Sequence, residues 1–75
     1  MNNSEQPYEV VRVHRPDWTD ITPTVKVNTG NSFEQACDLA RLDALALREE
    51  QRIQQVDHWN IVNAVTHVNL HTITP

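Results

Sequence analysis

The fold of this chain is decided by one stretch of helix-forming residues, SFEQACDLARLDALALREEQRIQ at positions 32–54. Ser32 followed by Gln35 is typical of a capping box, in which the serine hydroxyl accepts a hydrogen bond from the Gln35 backbone N–H. The residues that follow are mostly Ala, Leu, Arg, Glu and Gln, which favour helix. We therefore predict a helix that begins at Ser32 and runs through at least Gln54, and the sequence leaves open whether it continues to Asn63.

The predicted helix has two apolar stripes. The first consists mostly of small side chains at helical spacing: Phe33, Ala36, Cys37, Ala40, Ala44 and Leu47. Small side chains let a helix lie close to a sheet, so we expect this stripe to form the core. The second stripe lies roughly opposite, resembles a short coiled-coil seam, and consists of Leu39, Leu42, Ala46, Ile53 and Val56.

The second stripe needs a cover. Either residues 59–65 fold back over it, or another chain covers it, which would be a second copy or a foreign target. Burial of Leu39, Leu42 or Ile53 would contribute about 1.5–3 kcal/mol each. Exposure of all three would create an apolar patch of the kind that marks interaction sites. We therefore predict these three residues as partner contacts, and a homodimer joined through the helix is one expected outcome.

Alternating apolar and polar residues on both sides of the helix predict strands. The segments are 8–14 (YEVVRVH), 24–28 (TVKVN) and 66–73, and the first two are expected to form an antiparallel hairpin. The side chains expected to face the helix are Val11, Val13, Val25 and Val27. The fold class is therefore α+β, a three-stranded antiparallel sheet in the order strand-strand-helix-strand, packed by one long helix. Residues 1–7 are expected to be a flexible N-terminal arm and residues 8–75 a single small domain.

Composition narrows the class of protein. The chain has 75 residues, ten acidic and six basic, and a net charge of −4. This balance disfavours nucleic-acid binding, which needs clustered lysines and arginines, although Arg12, Arg15 and Lys26 keep a modest basic face on the hairpin as an alternative. No signal peptide and no membrane-spanning run is recognised, so we expect a cytoplasmic protein with no membrane partner.

The sequence contains no recognisable catalytic or metal-binding pattern. Cys37 is the only cysteine, and it lies on the core stripe, where a buried thiol is inert. His67 and His71 would lie about 13 Å apart along a strand, too far to share a metal ion. One glycine does not make a phosphate-binding loop. We expect a protein that is not an enzyme and that uses no metal and no cofactor.

Trp18 is the most prominent loop residue. It lies between Pro16 and Pro23, beside Asp17 and Asp20. A tryptophan on a rigid loop can act as a binding hot spot. The alternative is that its ring folds onto the hairpin and fills the core.

Two segments, VKVNTGNSFEQACDLA at 25–40 and AVTHVNLH at 64–71, resemble the podophage-encoded inhibitors of host RNA polymerase. The resemblance implies a minimal sheet carrying one helix, no enzymatic activity, and inhibition by lodging on the large subunit of the polymerase. In that family, basic residues of the last strand contact an acidic polymerase surface, and His67 and Asn69 stand at the matching positions here. The expected function is a small protein-binding inhibitor of a host protein such as RNA polymerase, with contacts at Trp18, Leu42, His67 and Asn69.

Overall fold

The computed structural model describes residues 7–17 and 23–75. Within them, four antiparallel strands form one sheet in the order β2-β1-β3-β4, and a single helix lies on one face. The elements are β1 (Tyr8–His14), β2 (Thr24–Gly30), α1 (Phe33–Glu49), a 3₁₀ turn (Ile53–Gln55), β3 (Val56–Asn63) and β4 (Asn69–Ile73). The predicted α+β class is confirmed, whereas the predicted number of three strands is wrong. Most of the predicted N-terminal arm, residues 1–6, lies outside the described residues.

The helix begins as predicted. Ser32 is the N-cap, and its Oγ accepts a hydrogen bond of 3.1 Å from the Gln35 backbone N–H. The Gln35 side chain reaches back to the Asn31 N–H, so two backbone donors at the start of the helix are satisfied.

The helix ends earlier than predicted, at Glu49 rather than Gln54. The Gln51 N–H donates to the Arg48 carbonyl at 3.1 Å, and the Arg52 N–H donates to the Leu47 carbonyl at 2.8 Å. This pair of bonds is a Schellman motif, which requires a left-handed residue just past the helix. Gln51 adopts that conformation with φ 60°. Glycine usually occupies such a position, and because Gln51 is not a glycine, the sequence does not predict that the helix ends here.

The strand that the sequence analysis missed is β3, and it is central. It pairs with β1 from Tyr8↔Asn63 to His14↔Val56, and the pairing continues past β1 because the Ala64 N–H donates to the Pro7 carbonyl at 2.7 Å. β3 pairs on its other side with β4. The predicted strand at 66–73 is therefore shorter, because its first residues belong to the β3–β4 loop.

The loop between β3 and β4 is organised by Asn63. Its side-chain oxygen accepts hydrogen bonds from the backbone N–H groups of Val65 and Thr66, at 2.8 and 2.9 Å. Its carbonyl accepts from the His67 N–H at 2.7 Å, and His67 is left-handed with φ 63°. An Asx turn therefore closes this hairpin without a glycine.

The alternation of β1 is confirmed, but the face that meets the helix is the opposite of the predicted one. Val10 is buried, whereas Val11 and Val13 are only half-buried. Both faces of β1 carry valines, so the alternation alone does not predict which face packs against the helix. The polar side chains distinguish the two faces, because Arg12 forms an ion pair with a residue of α1.

The core lies between α1 and the facing side of the sheet. β2 and β3 run in the same direction with β1 between them, so α1 connects them as a split β-α-β unit. The buried apolar residues are Val10, Ala36, Cys37, Ala40, Ala44, Leu47, Val56, Trp59 and Ile61. In the described part of the chain, no helix combines the length and the apolar character needed to cross a membrane.

Candidate functional site

A polar cluster joins the helix to the centre of the sheet. Asp43 on α1 accepts two hydrogen bonds from Arg12 on β1, from Nε at 2.8 Å and from Nη2 at 2.6 Å. Asp43 Oδ2 also accepts from Trp59 Nε1 at 2.7 Å. The side chains of Arg12 and Asp43 are only 14% and 17% exposed, and Trp59 is fully buried. A two-pronged arginine–carboxylate pair of this kind fixes orientation as well as distance.

The carboxylate of Asp43 is held in its charged form. Burial alone would raise its pKa, but the hydrogen bonds from Arg12 and Trp59 and the charges of Arg12 and His14 lower the pKa below its ordinary value of 3.8. Both oxygens are committed to these partners. The cluster therefore anchors α1 on the sheet, and the sequence analysis missed it. The sequence feature that could have predicted the cluster is the acidic Asp43 beside the core stripe of the helix, together with Arg12, which lies on the same face of β1 as Val10.

A groove lies between α1 and β4. Its volume is about 380 Å³, and its apolar wall includes Leu45, Trp59 and Ile73. Arg41 and Arg48, which are about two helical turns apart, also line it, as do Thr74 and Pro75 after β4. The helix packs chiefly on β1, β2 and β3, which leaves the space above β4 open.

The groove is positively charged on its helix side. Arg41 pairs with Asp38 at 2.9 Å, and both side chains of this pair are largely exposed. Arg48 forms no ion pair with any described residue. In a chain of net charge −4, the groove is therefore a local site of opposite sign.

Exposed large apolar side chains lie at the start of α1, in the groove wall and on the β3–β4 hairpin. Phe33, at the start of α1, is 39% exposed and packs edge-on against the rings of Tyr8 and His71. Leu45 lies in the groove wall. On the β3–β4 hairpin, the exposed apolar residues are Val65, Val68 and Leu70. We call the β3–β4 hairpin together with the groove the β4 surface.

The second apolar stripe of the sequence analysis does not exist as one continuous surface. Leu39 and Ile53 are half-buried and pack against the core, the latter from the 3₁₀ turn rather than from the helix. Val56 is buried in β3, and Ala46 is exposed. Leu42 remains exposed, at 59%, on the outer side of α1. Residues 59–65 do not fold back over this side of the helix, because most of them belong to β3.

The predicted contacts on the last strand fall on the β4 surface. His67 lies in the hairpin loop, and Asn69 begins β4. His71 is exposed on the helix side of β4, against the Phe33 ring. Within the described ranges, no group of three or more His, Cys, Asp or Glu residues could hold a metal ion. Cys37 is buried, as predicted from its place on the core stripe.

The predicted basic face of the hairpin is not formed. Arg12 points to the helix side, where Asp43 neutralises it. Lys26 pairs across strands with Glu9 at 3.6 Å. Arg15 is exposed beyond the end of β1, so the three cations do not line one surface.

Trp18, the predicted loop hot spot, lies outside the described residues. No known protein-family model matches this sequence, and comparison with curated proteins and with solved structures gives no significant match.

Proposed function

We propose that this protein is a small protein-binding module, without enzymatic activity, that recognises its target through the β4 surface. The observation that carries the proposal is the clustering of exposed apolar residues. Of the large apolar residues exposed in the described part of the chain, Val65, Val68 and Leu70 lie on the hairpin, Leu45 lies in the groove wall, and Phe33 packs against His71 of β4, which leaves only Leu42 elsewhere. An apolar patch of this kind next to an unpaired strand edge is typical of interaction sites.

The finer proposal is an inhibitor of a bacterial host protein, such as RNA polymerase, acting in the cytoplasm. It rests on the resemblance of segments 25–40 and 64–71 to phage-encoded polymerase inhibitors. His67 and Asn69, the positions matched to the contact residues of that family, lie on the same hairpin as Val65 and Val68. The resemblance and the apolar clustering therefore support the same surface.

A homodimer through the helix seam receives less support. That proposal depended on Leu39, Leu42 and Ile53 being exposed together. Leu39 and Ile53 already pack against the core of their own chain, which leaves Leu42 as the one largely exposed leucine of the predicted seam. A single exposed leucine is ordinary for a monomer.

The test compares two leucines of similar exposure. Leu70→Gln changes the β4 surface, and Leu42→Gln changes the outer side of α1 to the same side chain. Each purified variant is titrated against purified bacterial RNA polymerase by biolayer interferometry, and transcription from a bacterial promoter is measured in parallel. We expect Leu70→Gln to weaken binding and inhibition about tenfold, since loss of one buried leucine in an interface removes more than about 1 kcal/mol. Leu42→Gln should bind like the wild type.

Three results would count against the proposal. If the wild type neither binds nor inhibits the polymerase, the finer proposal fails. If cross-linking in a bacterial lysate also recovers no stoichiometric target, the protein-binding function fails with it. If Leu42→Gln weakens binding more than Leu70→Gln does, the target contacts the helix rather than the β4 surface.

A further inference from the structure

We propose that the groove between α1 and β4 binds an extended segment of the partner protein, which pairs with the β4 edge and carries a large apolar side chain beside an aspartate or glutamate. This inference rests on the proposed protein-binding function and assigns the chemistry of the segment that is bound.

The first argument is the edge of the sheet. β4 is the outermost strand and pairs only with β3, so its other side is available to a further strand. Asn63, Ile61 and Trp59 turn their backbone groups toward β4, and the last two pair with His71 and Ile73. Thr72 lies between these pairs, so its backbone N–H and C=O point away from β3 toward the open edge, where an incoming strand could pair with them.

The second argument is the space beside that edge. Leu45, Trp59 and Ile73 give the groove an apolar wall, and its volume of about 380 Å³ lies within the range that protein pockets offer to ligands. Side chains of a strand point alternately to its two faces. Every second side chain of a segment added to β4 would therefore point toward the helix side, into this space.

The third argument is charge. Arg41 and Arg48 line the groove, and Arg48 has no acidic partner among the described residues. A carboxylate on the bound segment would pair with them and would be attracted to this site in particular, because the chain as a whole is acidic. A lysine at the same position of the segment would be repelled.

The same argument disfavours a second copy of this chain as the occupant. The two outer strands of the sheet are β2 and β4, with sequences TVKVNTG and NLHTI. Neither contains an aspartate or a glutamate, so pairing of β4 with an outer strand of another copy would bring no carboxylate to Arg48. An outer strand of a second copy therefore does not supply the charge that the groove favours, and we assign the groove to a segment of a different protein.

The test uses the full-length protein and two synthetic probes. Both are capped nine-residue peptides that alternate threonine with valine or isoleucine, and they differ only in carrying either two glutamates or two lysines at the same positions. Titration of ¹⁵N- and methyl-labelled protein is followed by NMR. We expect the glutamate peptide to bind about fivefold more tightly than the lysine peptide, the upper end of the ratio that one exposed ion pair supplies. The shifts should be confined to the β4 amides and the methyl groups of Leu45 and Ile73.

A matched pair of charge reversals completes the test. Arg48→Glu reverses a charge inside the groove, whereas Arg52→Glu reverses an exposed arginine outside it, which is paired with Glu50. We expect Arg48→Glu to make the lysine peptide the tighter ligand and Arg52→Glu to keep the preference of the wild type.

Equal affinity of the wild type for the two peptides would overturn the inference, as would equal effects of the two reversals or shifts located on the opposite face of the sheet. Sedimentation that reports a dimer disrupted by Arg48→Glu, but not by Arg52→Glu, would assign the groove to a second copy and overturn it as well. The peptides test the groove in the absence of the target protein. If they do not bind as expected, this inference fails, whereas binding of a purified target to the hairpin is measured independently.

Discussion

Trp59 donates its indole N–H to Asp43 Oδ2 at 2.7 Å, so a residue buried at the centre of the sheet is fixed to the flank of the helix. The same oxygen accepts from Arg12 Nε at 2.8 Å. Three elements, β1, β3 and α1, therefore meet at one carboxylate. In a domain whose core consists largely of alanines and valines, this contact sets the position of α1 more specifically than apolar packing alone.

Loss of this carboxylate is expected to destabilise the domain strongly. Asp43→Ala leaves the mostly buried Arg12 guanidinium without its partner and the Trp59 N–H without its acceptor. We expect the free energy of unfolding, measured by urea titration, to fall by about 3 kcal/mol. Asp38→Ala is the matched control, because it breaks an exposed Arg–Asp pair on the same helix and should cost less than about 1 kcal/mol. Equal losses for the two variants would contradict the anchoring role of Asp43.

The same group predicts a pH dependence. The pKa of Asp43 is lowered in the folded protein, so its contribution to stability is present above the unfolded-state pKa and is lost as pH falls through the lower folded-state pKa. We expect the difference in unfolding free energy between wild type and Asp43→Ala to be constant near neutral pH and to shrink below about pH 4. Urea titrations at a series of pH values measure this difference, and a gap that widens in acid would have the wrong sign.

Two leucines of the predicted second stripe are expected to behave differently. Leu39 packs against the core, whereas Leu42 is 59% exposed. Leu39→Gln should lower the free energy of unfolding by about 1–2 kcal/mol, since it moves a polar side chain into a half-buried apolar position. Leu42→Gln should change it by less than about 0.5 kcal/mol. Thermal and urea unfolding measure the stability of the two variants. Similar losses of unfolding free energy would mean that the same surface covers both leucines.

The end of β2 is expected to tolerate no side chain. A Cβ added at Gly30 would lie 3.1 Å from the Ala36 backbone nitrogen and 3.2 Å from its Cα. The φ of Gly30 is not positive, so the restriction comes from the close approach of β2 to α1 and not from backbone conformation. We expect Gly30→Ala to cost about 1–3 kcal/mol, because backbone atoms rather than a flexible side chain must move.

The control for this prediction is Thr24→Ala, at the exposed start of the same strand, which should cost less than about 1 kcal/mol. Chemical denaturation of both variants gives the comparison. A neutral Gly30→Ala would mean that α1 shifts away from β2 at little cost.

The sequence predicts most accurately those elements that local chemistry determines. β1 is predicted at its exact bounds because alternating β-branched residues end at Pro16, and the start of α1 is marked by the Ser32–Gln35 capping box. The end of α1 is not predictable in the same way. Gln51 adopts a left-handed conformation that glycine normally supplies, so the helical pattern of the sequence continues past the residue at which the helix ends.

β3 and the candidate site depend on contacts between distant residues. The segment at 56–63 reads as a possible helix extension until Trp59 and Ile61 are placed between β1 and β4, where both are buried. The groove likewise involves residues from the helix and from the end of the chain, which no local pattern brings together. The sequence predicts that Leu42 is part of an apolar seam. In the structure Leu42 is exposed, but the continuous seam does not form.

The position of β1 in the middle of the sheet has a consequence for how the domain folds. The β1–β2 hairpin and the β3–β4 hairpin can each close locally, but neither contains the pairing of β1 with β3, which joins residues on opposite sides of the helix in sequence. Closing that long loop carries an entropic cost that is compensated only when the two hairpins dock and α1 covers them. Folding should therefore be limited by this docking step and be slower than for a helical protein of the same length, and a chain still lacking β3 would expose both edges of the first hairpin.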